Sequence, residues 1–307
     1  MLADEALETL AQEEAGEVGP RWSREAPRAP SVAKTNPDTL LGNLGRTRFT
    51  IGWVAHDSGT RSAMIECENL VKEFKEGKIR AVDGLTLSVR KGEIYALIGA
   101  NGSGKTTTVN VLTGALVPTS GRVSVLGVEM PQGKRLVSGR IGVAPQEYSL
   151  YSDLTLKQNA SFFAKLYGMD SKRFARRFEE LNEILRLRGR ENSLVSNLSG
   201  GMKRRASIEC ALLHEPEVVF FDEATVGIDP VLRAFLWDYF RSLRSNGLTI
   251  LLTSHVMDEA GKADRIGLVR AGKLVDEGEP EKLMARHNVR SIEDVFLKLS
   301  GKEIPDA

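Results

Sequence analysis

Residues Gly99 to Thr106 read G-A-N-G-S-G-K-T, and no other stretch of the chain restricts its possible folds so sharply. Gly99, Gly102 and Gly104 permit backbone conformations and close approaches that a side chain would block. A loop of this kind turns several N–H groups inward as an anion nest at a helix N-terminus. It requires a strand before it and a helix after it. K-G-E-I-Y-A-L-I has the strand pattern and T-T-V-N-V-L-T the helical period. The chemistry is that of a nucleoside triphosphate, with Lys105 reaching the β- and γ-phosphates and the Thr106 hydroxyl holding Mg²⁺.

A second half-site lies in V-V-F-F-D-E, starting at Val218. An apolar strand that ends in acids presents them at its C-terminal edge, where open α/β sheets bind ligands. Asp222 is placed to bind Mg²⁺, directly or through water. Glu223 is placed to polarise an attacking water as general base. Gln146 closes the strand R-I-G-V-A-P-Q, where a neutral amide can contact Mg²⁺ and water. His255 closes L-L-T-S-H, where an imidazole can hydrogen-bond the γ-phosphate.

Around these motifs the chain divides unevenly. Residues 1 to about 62 carry an acidic start followed by Pro20, Pro27, Pro30 and Pro37, which interrupt regular elements. This stretch reads as a weakly structured tail or as the product of a misplaced start codon, since Met64 opens a natural first strand. From Ile65 onward, I-E-C-E-N-L-V and R-A-V-D-G-L-T-L-S-V alternate like strands of a small antiparallel sheet. R-V-S-V-L-G is a further short strand. Leu154 to Arg190 has helical spacing and suggests a helical insert. V-V-F-F-D-E and L-T-I-L-L-T-S-H are continuous apolar strands of the kind buried in parallel sheets. Helix patterns return after Pro280. The expected class is therefore α/β.

Composition removes several other functions. A net charge of +1 gives no basic field to attract nucleic acid. Cys67 and Cys210 form no C-x-x-C and read as buried thiols. No apolar run approaches the ~18 residues of a membrane span, so membrane work would need another chain. The basic run Lys203–Arg205 reads as a solvated helix face.

N-L-S-G-G-M-K-R-R-A-S, from Asn197 to Ser207, resembles the signature of the ATP-binding cassette (ABC) ATPases. The resemblance runs from Ile65 to about Gly278. Phosphate loop, Q-loop, L-S-G-G signature, acidic strand, D-loop and switch histidine occur in the family's order. A G-protein reading fails because N/T-K-x-D is absent. The resemblance implies a P-loop NTPase of the ABC nucleotide-binding type, with a RecA-like core, an antiparallel β subdomain and a helical subdomain. The cassette would occupy 63–279, its helical subdomain about 151–213, and a C-terminal helical extension 280–307.

By resemblance, the ATP-binding set is Phe74, which would stack on adenine, with Gly99, Ala100, Asn101, Gly102, Ser103, Gly104, Lys105, Thr106 and Thr107. Thr106, Gln146 and Asp222 would hold Mg²⁺. Glu223, His255 and Gln146 would serve catalysis. Leu198, Ser199, Gly200 and Gly201 would bind the γ-phosphate held by an opposite subunit, and Asp229 would cross the interface. Met202, Ala224 and Val226 depart from the commonest pattern without removing a ligand. The Met variant and the tail S-I-E-D-V-F-L-K-L-S-G resemble the drug, lipid or polysaccharide exporter branch. The implied partners are a second cassette and separate multi-span membrane subunits, at the cytoplasmic face of a membrane and without nucleic acid. An alternative is a soluble ABC switch acting on DNA or ribosomes.

Overall fold

The computed structural model describes residues 63–74 and 79–299. The expectations for residues 1 to 62, and for the end of the C-terminal extension, lie outside the described residues. Two sheets carry the fold. Strands β1 (Ala63–Phe74), β2 (Ile79–Arg90), β4 (Ser120–Val125) and β5 (Val128–Glu129) form an antiparallel sheet in the order β2-β1-β4-β5. Strands β3 (Ile94–Ile98), β6 (Ile141–Ala144), β7 (Val218–Asp222), β8 (Thr249–Ser254), β9 (Arg265–Arg270) and β10 (Lys273–Gly278) form the second, ordered β10-β9-β3-β8-β7-β6. All pairs in it are parallel except the β9–β10 hairpin.

Every residue of β3, β7 and β8 is buried, as expected for strands covered on both faces. The period-2 alternation divides them between two cores. Ile94, Ala96, Ile98, Val219 and Phe221 pack on the side of the helices. Tyr95, Leu97, Val218 and Phe220 pack with Ile65, Leu70 and Leu85 of the antiparallel sheet. The short I-Y-A-L-I run thus anchors both layers.

The helices are α1 (Lys105–Leu112), α2 (Lys134–Val137), α3 (Leu156–Leu166), α4 (Ser171–Ile184), α5 (Gly200–Leu212), α6 (Pro230–Ser245), α7 (Met257–Ala260), α8 (Pro280–His287) and α9 (Ile292–Leu299). Local chemistry sets their starts. Thr155 and Gln158 form a capping box on α3, Asp170 caps α4, and Asp229 caps α6 with Pro230 in its first turn. Helices α3, α4 and α5 supply Leu156, Phe178, Leu181, Ile208 and Leu212 to the helix-side core. Both cysteines are free and buried. Burial pushes the Cys67 thiol up to about 12, so it is inert at neutral pH.

The basic run on α5 is only partly solvated, because Arg204 is buried and Lys203 and Arg205 are half-buried. The Lys203 ammonium bonds the Ser196 carbonyl, and Arg204 is buried with Nη1 on the Pro145 carbonyl. Arg205 donates to the carbonyls of Leu185 and Arg186. These cations satisfy carbonyls left at loop and helix ends, which a reading of one helix in isolation cannot reveal.

Candidate functional site at the strand ends

The sheet order β3-β8-β7-β6 sets four chain segments side by side, each leaving the C-terminal end of a parallel strand. Lys105 follows β3, His255 follows β8, Glu223 follows β7 and Gln146 follows β6.

The loop after β3 is shaped by what it excludes. A Cβ on Gly99 would lie 2.3 Å from the Val269 carbonyl and 2.6 Å from Ser103 Oγ. Gly104 sits at φ 105°, where a Cβ would lie 2.3 Å from the Ala81 carbonyl of β2. Only glycine fits there, because both the conformation and the space forbid a side chain. Gly102 also has positive φ, at 77°. Ala100 accepts the Ser103 N–H at 3.2 Å, Asn101 is exposed at the tip, and Ser103 Oγ is buried without a hydrogen bond. Helix α1 has no side-chain cap, and Thr106 and Thr107 lie in its first turn. Its first N–H groups therefore suit an anion.

Lys105 is buried, with Nζ on the carbonyls of Gly99 and Ala100 at 2.8 and 3.1 Å. Burial draws its pKa below the ordinary lysine value, against the opposing pull of the Glu223 and Asp222 carboxylates. Its Nζ lies 3.7 Å from Glu223 Oε1. The same oxygen is 3.2 Å from His255 Nδ1, at ion-pair distance but out of line for a hydrogen bond. Glu223 Oε2 accepts from Gln146 Nε2 at 3.3 Å. Glu223 itself has φ 52°, a sparsely populated conformation for a non-glycine residue.

Thr106 Oγ1 donates to Gln146 Oε1 at 3.2 Å and also lies beside Asp222. Burial raises the Asp222 pKa, opposed by hydrogen bonds from Thr253 and Thr106. The hydroxyl, amide and carboxylate oxygens of Thr106, Gln146 and Asp222 thus converge, and an all-oxygen set suits a hard cation such as Mg²⁺.

The other expected residues have neighbours of their own. Among the described residues, no hydrogen bond or ion pair joins Leu198, Ser199, Gly200 or Gly201 to the phosphate loop. Leu198 is buried, while Ser199 and Gly200 are exposed at the start of α5. Ser199 Oγ accepts from the Met202 N–H at 3.3 Å, so one of the helix-end donors is already engaged. Gly201 sits where a Cβ would be 3.4 Å from the Gly227 carbonyl, which sets the signature beside the D-loop. Asp229 accepts from the Leu232 N–H at 3.0 Å. Phe74, 40% exposed, ends β1 opposite Ile79, on the sheet whose Ala81 contacts the loop, and Lys72 Nζ lies 5.2 Å from its ring.

Several residues with no sequence motif hold this arrangement together. The Tyr148 hydroxyl donates to the Gly200 carbonyl at 3.2 Å, tying the segment after Gln146 to the signature. The buried carboxylate of Glu259 accepts from Thr225 at 2.7 Å and Ser254 at 3.1 Å. Thr253 contacts both acids at the end of β7. The only hint in the sequence is the position of T-S just before His255.

Residues 82–226 match the family model described as ABC transporter. The chain is 37% identical over 249 residues to the "Probable multidrug ABC transporter ATP-binding protein YbhF" of Escherichia coli (strain K12). That match covers 80% of this chain but 43% of the relative, so the chain spans less than half of that protein's length. It is also 37% identical to the Nod factor export ATP-binding protein I of Paraburkholderia xenovorans (strain LB400), over 76% of this chain and 77% of that one. A solved ATP binding subunit of an ABC transporter superposes with a TM-score of 0.72 at 27% identity, covering 77% of this chain and 99% of that one.

Proposed function

The chain belongs to the ATP-binding proteins of the ABC transporter family, and on that premise we propose that it binds Mg²⁺–ATP and hydrolyses it to drive export through separate membrane subunits. The observation that carries this reading is the meeting of four separate motifs at one carboxylate. Glu223 lies within 3.2 to 3.7 Å of His255, Gln146 and Lys105, at the mouth of a loop where Gly99 and Gly104 leave no room for a side chain.

The roles follow from position and charge. A triphosphate in the loop would meet the N–H groups that open α1 and draw Lys105 away from the Gly99 and Ala100 carbonyls. Thr106, Asp222 and Gln146 would hold Mg²⁺, whose charge offsets that of the β- and γ-phosphates. Glu223 would then accept the proton of the attacking water, with Gln146 orienting that water and His255 hydrogen-bonding the terminal phosphate. Phe74 would carry the base. Positioning and charge stabilisation supply most of the rate.

The exposure of Ser199 and Gly200 at the start of α5 supports a partner arrangement: Ser199, Gly200 and Gly201 would close over nucleotide held by a second cassette, with Asp229 at the seam. Among the described residues, no helix is long and apolar enough to cross a membrane. In this reading, attachment to a membrane comes through partner subunits, on its cytoplasmic face. The relatives' printed names, multidrug and Nod factor export, favour an exporter over a DNA- or ribosome-bound switch.

Glu223→Gln tests the central assignment. It is expected to retain ATP binding and to lose turnover by about 10²–10⁴, the usual range for a general base. Undiminished phosphate release by the variant would refute the role of Glu223.

A further inference from the structure

Thr253 is the penultimate residue of β8 and is 1% exposed. Parallel pairing places it directly opposite Asp222. Its hydroxyl makes two bonds in opposite senses. It donates to Asp222 Oδ1 through a short hydrogen bond, and it accepts from the Glu223 N–H at 3.0 Å. The Thr253 carbonyl accepts from the same N–H at 3.2 Å. One side chain therefore touches the carboxylate of the first acid and the backbone of the second.

Each bond answers a specific physical need. Asp222 is buried, and a buried carboxylate oxygen without a donor is costly. Fixing Oδ1 on Thr253 orients the whole carboxylate and so directs Oδ2. Glu223 has positive φ, which a non-glycine residue keeps only when its surroundings hold it. A bifurcated bond from its N–H to the Thr253 hydroxyl and carbonyl supplies that restraint, and the carboxylate is thereby aimed at Lys105, His255 and Gln146.

We propose that Thr253 is a positioning residue whose hydroxyl sets the Asp222 carboxylate for metal and the Glu223 backbone for water activation. The inference rests on the Mg²⁺–ATP reading above and assigns a role to a residue that the motifs leave without one.

The test uses the full chain carrying Glu223→Gln, which is expected to slow turnover by about 10²–10⁴ and leaves the backbone N–H of residue 223 in place. Mn²⁺ serves as the probe ion and is titrated into ATP-saturated protein by water-proton relaxation. ATP affinity is measured separately in EDTA. Thr253→Val removes the hydroxyl at nearly constant shape. It is expected to weaken Mn²⁺ binding by about 10- to 100-fold, the usual effect of losing a group that orients a metal ligand. ATP affinity in EDTA should stay within about twofold, because no phosphate contact is removed. Thr253→Ser retains the hydroxyl and should recover most of the Mn²⁺ affinity. In the chain with Glu223 intact, Thr253→Val should lower kcat more than it raises KM.

Parent-like Mn²⁺ affinity in folded Thr253→Val overturns the inference, and so does a Thr253→Ser variant as impaired as Thr253→Val. Thr253→Ala takes the place of the valine variant if that one does not fold. Failure of the parent to bind Mn²⁺ with ATP would instead overturn the functional reading on which the inference rests, and this inference with it.

Discussion

At the scale of single residues, Gly104 and Gly102 separate two reasons for a glycine. Both have positive φ, but a Cβ on Gly104 would meet the Ala81 carbonyl at 2.3 Å, whereas one on Gly102 would meet nothing within 4 Å. Gly102→Ala is expected to lose roughly 1–2 kcal/mol, the conformational cost alone. Gly104→Ala adds a collision with backbone and should lose more, together with nucleotide binding. Thermal melts and ATP titration of the two variants check the ranking, and equal behaviour would remove the steric argument. The loop was legible because its chemistry is local: glycines, lysine and threonine act where they stand. Thr253 was not, because its meaning depends on the pairing of β7 with β8, whose contacting residues are far apart in the chain.

At the scale of elements, α5 joins the exposed signature at one end to a buried histidine just beyond the other. His214 stacks on Tyr167 at 3.6 Å between ring centroids, and its Nε2 is 3.0 Å from the Ile141 carbonyl. That contact links the stretch after α3 to β6. Burial lowers the His214 pKa from 6.5 to about 4. The folded state therefore keeps the ring neutral where the unfolded chain protonates it. Stability from this group is complete above pH 6.5 and falls as pH drops towards 4, by about 3 kcal/mol across the window. Denaturant titrations at several pH values should show His214→Gln losing less stability than the parent in that interval. Parallel acid limbs for the two proteins would disprove the linkage. Element types were legible where periodicity was strong, as in the all-buried β7 and β8 and in the alternating β1 and β2. The environment of Arg204 and Arg205 was not, because their acceptors, Pro145, Leu185 and Arg186, belong to other segments. Gln146 and His255 were singled out as strand ends, but only the strand order β3-β8-β7-β6 brings both to Glu223.

At the scale of the whole molecule, the exposed start of α5 fits the proposed pairing, in which each working site is built from two chains. Complementation measures this. Lys105→Ala removes the cation of the loop but leaves the signature intact. Ser199→Arg blocks the signature but leaves the loop intact. Each variant alone should be nearly inactive, whereas a mixture should regain turnover, because one site of the mixed pair keeps both halves. A mixture no more active than its parts would argue that one chain suffices.

Lys105 links the phosphate loop to the acidic end of β7. While the ammonium stays 3.7 Å from Glu223, the would-be base faces a counter-ion rather than a reactant. An anion that draws the lysine towards itself also uncovers the carboxylate. In the proposed mechanism, seating the ammonium on a phosphate and freeing the carboxylate are then a single displacement.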